Sequence, residues 1–226
     1  MLTKEGGFPM LVGERMSHPV ITVSPELPIQ DALVQMHKDR VSRYPVVNAR
    51  GKLVGIVSED DLLNASPSDV STLSIFEMNY LLSKITVERV MTSEVITVAD
   101  DVPLEEAARI MTDHRIGGMP VMHGDKLVGI ITETDLFKIL LEMLGARHEG
   151  VRLTVQINEV PGTLHDLSGA IAKIGGNLIA IGSFYGENSE TRRLTLKVAN
   201  VSLKALQAAV EPFVEKIVDI REMTVV

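Results

Sequence analysis

The chain contains no cysteine and no tryptophan, and aromatic residues make up 4% of its 226 positions. Without cysteine there is no disulfide framework, no thiol nucleophile and no cysteine-ligated zinc. That fits a reducing cytosol. Basic residues are also in short supply: 22 Lys and Arg against 30 Asp and Glu give a net charge of −8. No Lys/Arg run supplies the basic face that sequence-independent nucleic-acid binding needs. Long apolar runs are missing too, and no stretch approaches the roughly 20 residues of a membrane helix. The N-terminus lacks the apolar core and small-residue cleavage site of a signal peptide. His37, His123, His148 and His165 have no partner at metal-ligand spacing, so no metal site is expected. The expectation is a cytoplasmic protein with no nucleic-acid or membrane partner. Its 45% hydrophobic content is enough for one or two real cores.

What is present is one pattern written twice. Met16–Val23, Pro28–Met36, Tyr44–Val47 and Gly51–Leu62 recur as Met91–Val98, Pro103–Met111, Met119–Met122 and Gly124–Leu136. The offset is 75 up to the strand prolines Pro45 and Pro120, and 74 after one deletion in the following turn. A duplicated unit implies two similar halves about a pseudo-twofold axis, with clefts between them where small ligands go.

Each copy reads β-α-β-β-α. A short β segment (Val20–Val23; Val95–Val98) precedes a helix whose first position suits Pro28 or Pro103. Leu27 and Val102 would then be poor caps, so packing must hold the helix start. Apolar residues follow at helical spacing: Ile29, Ala32, Leu33 and Met36; Leu104, Ala107, Ala108 and Met111. Two buried strands and a polar turn lead into the second helix. Residues 1–12 read as a flexible tail, 13–63 as the first motif, 64–86 as linker, and 87–145 as the second motif. Within the linker, Ile75, Met78, Leu82 and Ile85 share a helical face, which suits either a helix packed on the pair or a plain connector.

Residues 151–226 follow a different pattern. Val151, Leu153, Val155 and Ile157 alternate as in a half-buried strand, and Leu164, Leu167, Ile171 and Ile174 mark a helix closed by Gly175-Gly176. Strands at Leu178–Ser183 and Leu194–Val198, a helix through Leu203–Phe213 and a last strand complete βαββαβ, a ferredoxin-like order. The overall class is α+β.

The sharpest constellation is Ser58-x-x-Asp61 and its echo Thr132-x-x-Asp135, each where a buried strand meets a helix N-terminus. A carboxylate there can grip both hydroxyls of a ribose beside unpaired helix N–H groups. A single such pair is more often a helix cap. Two in register shift the balance toward ligand contact.

These residues carry a resemblance. The paired proline strands, Gly51–Leu62 with Asp125–Leu136, and the Ile-Thr-Val starts resemble a tandem pair of CBS motifs over about 13–141. Glu159–Leu164 and Ile174–Leu178 resemble an ACT domain, and the whole order is similar to bacterial acetoin-utilisation-type CBS proteins. The resemblance implies an adenine nucleotide (AMP, ADP or ATP) or S-adenosylmethionine in clefts between the motifs. It assigns Asp61 and Asp135 to the ribose, with Ser58 and Thr132 close by. The backbone near Thr22 and Thr97 would face the adenine, and Tyr44, Pro45, Met119 and Pro120 would line the base pocket. Arg43 and Arg115 are the phosphate candidates, and Arg43 has Gly118 as its equivalent, so the two sites should differ. Arg40 and Arg43 equally suit surface solvation or ion pairs between motifs. In the ACT-like part, Gly162 and Asn177 are candidates for an amino-acid site at a subunit interface, against a purely dimerising role.

Three functions follow. The first is a regulatory nucleotide sensor that forms a homodimer and passes ligand state to a regulated protein. The second is an enzyme, which the absence of a nucleophile elbow, a Walker loop and a carboxylate pair with a nearby base opposes; no catalytic residue and no cofactor is expected. The third is an amino-acid sensor with the CBS pair as scaffold.

Overall fold

The computed structural model describes residues 10–65, 84–186 and 190–224. The expected linker helix, Ile75–Ile85, lies outside the described residues except for its last two positions. The chain divides after Leu136 into two units.

The first unit begins with α1 (Val12–Arg15), followed by α2 (Ile29–Asp39), β1 (Arg43–Val47), β2 (Leu53–Ser58) and α3 (Glu59–Asn64). The second copy follows as β3 (Val98–Ala99), α4 (Leu104–His114), β4 (Gly118–His123), β5 (Lys126–Thr132) and α5 (Glu133–Met143), which runs on past Leu136. The first β segment of each copy is shorter than expected. Val23 makes only a parallel bridge to Val46, whereas Val98–Ala99 forms a two-residue strand parallel to β4. Pro28 and Pro103 are N-caps rather than first helical residues. Their backbones are extended (ψ 142° and 147°), and the Pro28 carbonyl accepts the first helical bond from Ala32 at 3.0 Å. Both helices bury the expected stripes, Ile29, Ala32 and Met36 in one and Leu104, Ala107 and Met111 in the other. Both also end on an arginine in the left-handed region, Arg40 (φ 56°) and Arg115 (φ 55°), where glycine is the usual residue.

Reciprocal crossing joins the two copies. The segment before each motif docks on the other motif. Val12 N–H donates to Val102 O at 2.9 Å, and its equivalent Val87 donates to Leu27 O, also at 2.9 Å. Ser17 bridges Ile130 as Thr92 bridges Ile56. Met16 lies on Gly129 and Met91 on Gly55, and a Cβ at either glycine would collide with the thioether. Exchanging the copies exchanges the contacts, which is the signature of a pseudo-twofold.

The second unit contains β6 (Gly150–Asn158), α6 (Thr163–Lys173), β7 (Asn177–Tyr185), β8 (Thr191–Ala199), α7 (Leu203–Val210) and β9 (Lys216–Met223). The antiparallel sheet has the order β7-β8-β6-β9, the ferredoxin-like arrangement. Val151, Leu153, Val155 and Ile157 pack with Leu167 and Ile171 of α6 and with Leu206 and Val210 of α7. The expected face of α6 is narrower than its spacing suggested, because Leu164 and Ile174 at its ends are exposed. Among the described residues, no helix is long and apolar enough to cross a membrane.

Candidate functional site

Each motif brings its polar residues together where the central hairpin meets the second helix. Arg43 pairs with Ser58 across the β1–β2 ladder, and Gly118 pairs with Thr132 across β4–β5. The helix start is tied back to the strand start in both copies: Glu59 N–H donates to Ser42 O at 3.0 Å, and Glu133 N–H to Gly117 O at 3.1 Å.

At this junction Ser58 and Asp61 form a reciprocal cap. The Ser58 N–H and hydroxyl donate to Asp61 Oδ2 at 2.8 and 2.6 Å, and Asp61 N–H donates back to Ser58 Oγ at 3.2 Å. Thr132 and Asp135 repeat this at 3.1, 2.8 and 3.4 Å. The short spacing satisfies helix N–H groups that would otherwise be orphaned. Capping is thus the role these residues play here, and it fixes the carboxylates at the helix N-termini. The two differ in burial: Asp135 is 8% exposed, while Asp61 is half-buried.

The strand prolines Pro45 and Pro120 are buried, and Val23 N–H donates to Pro45 O at 3.2 Å, which sets Thr22 beside the Tyr44–Pro45 backbone. Thr97 takes the equivalent place before β3 and is exposed. Tyr44 and Met119, expected to line a base pocket, are fully buried. β1 and β4 turn these side chains into the motif cores, so they offer an outside ligand main chain only. The Tyr44 hydroxyl donates to Asp39 Oδ2 at 2.8 Å. Burial first, and that hydrogen bond second, push its phenol far above the usual tyrosine range.

Arg43 crosses between motifs. Its guanidinium lies over Gly117, with Cζ 2.9 Å from where a Cβ would stand, and Glu133 Oε2 is 3.1 Å from the same point. A Cβ at Gly117 would displace this guanidinium, so glycine makes room for a cation from the first motif at the strand-to-helix junction of the second. The reverse position holds Gly118, which supplies no charge. The two junctions thus differ in the charge supplied to them, and the involvement of Gly117 and Glu133 was not legible in the sequence. The only hint was Gly-Gly where the first copy has Ser-Arg. Arg115 is exposed at the C-terminus of α4.

In the second unit, Gly162 caps α6 with φ 96° and borders a cavity of about 460 Å³ with Thr163, Leu164, Ser183 and Arg192. Asn177 does not join it. Asn177 pairs with Ala199, whereas the cavity lies near Ser183, six residues further along β7 and roughly 20 Å away.

Comparison with known proteins agrees with this architecture. The CBS domain model matches residues 12–68 and 87–142, and a TTHA0829-like ACT domain model matches 149–221. An AcuB-type CBS protein from Vibrio cholerae is 33% identical, covering 60% of this chain and 93% of that one, with a TM-score of 0.50. CBSX2 of Arabidopsis thaliana is 31% identical over 160 residues, 62% of this chain and 66% of its own length. A CBSX2 structure, at TM-score 0.47, holds AMP. L-aspartate semialdehyde sulfurtransferase of Methanocaldococcus jannaschii is 31% identical over 130 residues, which span 57% of this chain but 23% of that enzyme.

Proposed function

The chain belongs to the CBS-domain family, with an ACT domain following its two CBS motifs, and from that premise we propose that it is a cytoplasmic regulatory module, not an enzyme, that binds an adenine nucleotide or adenosyl ligand. The observation that carries this reading is the pair of in-register Ser/Thr–Asp junctions, one of them supplied with Arg43 from the opposite motif. Asp61 and Asp135 are held at helix N-termini, where a ribose can exchange for the capping hydroxyl. Beside them run the backbones of Tyr44–Pro45 and Met119–Pro120, next to Thr22 and Thr97. Arg43 suits a phosphate at the second junction, through its forked donors. Two homodimerised chains would pass ligand state to a regulated protein only as far as the ligand prefers one arrangement of the motifs over another.

Thermal unfolding tests the proposal. AMP, ATP or S-adenosylmethionine at 100 times its dissociation constant adds about 2.7 kcal/mol, a shift of several degrees. Asp61→Ala and Asp135→Ala each also lose a cap, at roughly 1 kcal/mol, so the readout is the ligand increment above each variant's own baseline. That increment should vanish in at least one of them. Arg43→Ala should weaken the response to AMP and ATP and spare that to S-adenosylmethionine. No increment with any adenosine ligand refutes the reading. The cavity beside Gly162 favours a second reading, an amino-acid sensor, which a shift with free amino acids alone would support.

A further inference from the structure

The same duplication that pairs the two junctions also pairs the hairpin turns at the far ends of the strands. From Ser58 to Leu53 is five residues, about 17 Å of extended chain, so the turns are well removed from the carboxylates. There the two motifs together line a cavity of about 770 Å³. Lys52 and Lys126 occupy equivalent positions in the repeat and both line it, together with Arg50, His123 and Asp125. Arg50, Lys52 and Lys126 make no ion pair with any described residue. Asp125 is the one acidic side chain of the lining set, and a second carboxylate, Asp100, stands behind the rim through its 2.9 Å bond to His123. Three cations without an ion pair thus line one cavity against Asp125, with Asp100 behind His123, on a chain of net charge −8. All three are solvent-exposed, so their repulsion is screened by water and salt, and a multivalent anion between them gains most at low ionic strength. Both turns are pinned independently of any ligand. Asn48 Oδ1 accepts from Arg50 and Lys52 N–H at 3.0 and 3.1 Å, and the second turn closes through the His123–Lys126 pair.

We propose that this groove between the hairpin turns is a second ligand site, for a compact phosphate-bearing anion of the diphosphate class that bridges Lys52 and Lys126 across the pseudo-twofold. The site is separate from the nucleotide junctions. An anion there would tie the two motifs together at the ends the nucleotide does not reach.

The test is calorimetric titration of the full chain with inorganic pyrophosphate at low ionic strength, with and without saturating AMP. The expected result is binding that persists with AMP present, weakens steeply with added salt and falls at least tenfold in Lys52→Gln/Lys126→Gln. Both lysines are exposed, so the double variant keeps the fold, and its unfolding midpoint checks this. Arg43→Ala should bind pyrophosphate as the parent does. Loss of binding in Arg43→Ala with retention in the lysine variant, competition by AMP, or no binding at all would overturn the proposal.

Discussion

The crossing of the two motifs makes a quantitative prediction at Gly55. An added Cβ there would overlap the Met91 thioether and approach its Cγ at 2.9 Å, and the three nearest atoms all belong to that one flexible side chain. Gly55→Ala therefore overpacks the contact, at about 1–2 kcal/mol. Met91→Ala removes a half-buried side chain and should cost about 2 kcal/mol, the low end for such truncations. In the double variant the new methyl occupies space the thioether has left, so the pair should be less destabilised than the sum by about 1–2 kcal/mol. Gly55→Ala with Met16→Ala is the control. Met16 lies on Gly129 in the other motif, and the two effects should add within about 0.5 kcal/mol. Gly129→Ala should cost more than Gly55→Ala. Its Cβ also meets the Ser17 carbonyl at 3.1 Å, and that carbonyl is held by a 3.2 Å bond from Ile130 N–H, so Met16→Ala relieves only part of the strain. Urea midpoints at constant slope provide the free energies. Additivity of Gly55→Ala with Met91→Ala, or coupling of Gly55→Ala to Met16→Ala, would refute the crossed arrangement.

The remaining predictions concern backbone strain and a buried charge. Arg40 and Arg115 sit at positive φ, so Arg40→Gly and Arg115→Gly should each stabilise the fold by roughly 1 kcal/mol, read as a higher urea midpoint, against the ordinary expectation that glycine weakens a helix. Lys197 is 4% exposed and directly opposite Arg152 in the sheet; burial first, and the Arg152 charge second, lower its pKa. The folded chain thus gives up this proton at a lower pH than the unfolded chain, and stability rises as pH climbs from the lowered value toward the ordinary lysine range near 10. Lys197→Met should unfold at higher urea than the parent at pH 7, with the gap narrowing toward pH 10; a gap that stays constant with pH would contradict this cause.

Local features of this protein were readable without coordinates. The repeat is the chain compared with itself, and the β-α-β-β-α order, the ferredoxin-like tail and the place of Ser/Thr-x-x-Asp at strand-to-helix junctions depend on residues within a few positions of one another, where periodicity and helix-end chemistry act directly; that each pair closes on itself as a cap came from the structure. Pro28 and Pro103 shifted by one position because proline fixes φ but leaves ψ free, and ψ of 142° and 147° keeps both just outside the helix. Tertiary structure alone decided what crosses between distant segments. Met16 rests on Gly129, Met91 on Gly55, and Arg43 on Gly117; these contacts join residues 36 to 113 positions apart, where no local periodicity operates. It also turned Tyr44 and Met119 inward, set Asn177 at the end of β7 away from the cavity that Gly162 borders, and brought Lys52 and Lys126 into one cavity. The duplication wrote Lys52, Gly55 and Asp61 again as Lys126, Gly129 and Asp135, but only the pseudo-twofold packing determined which copies face each other.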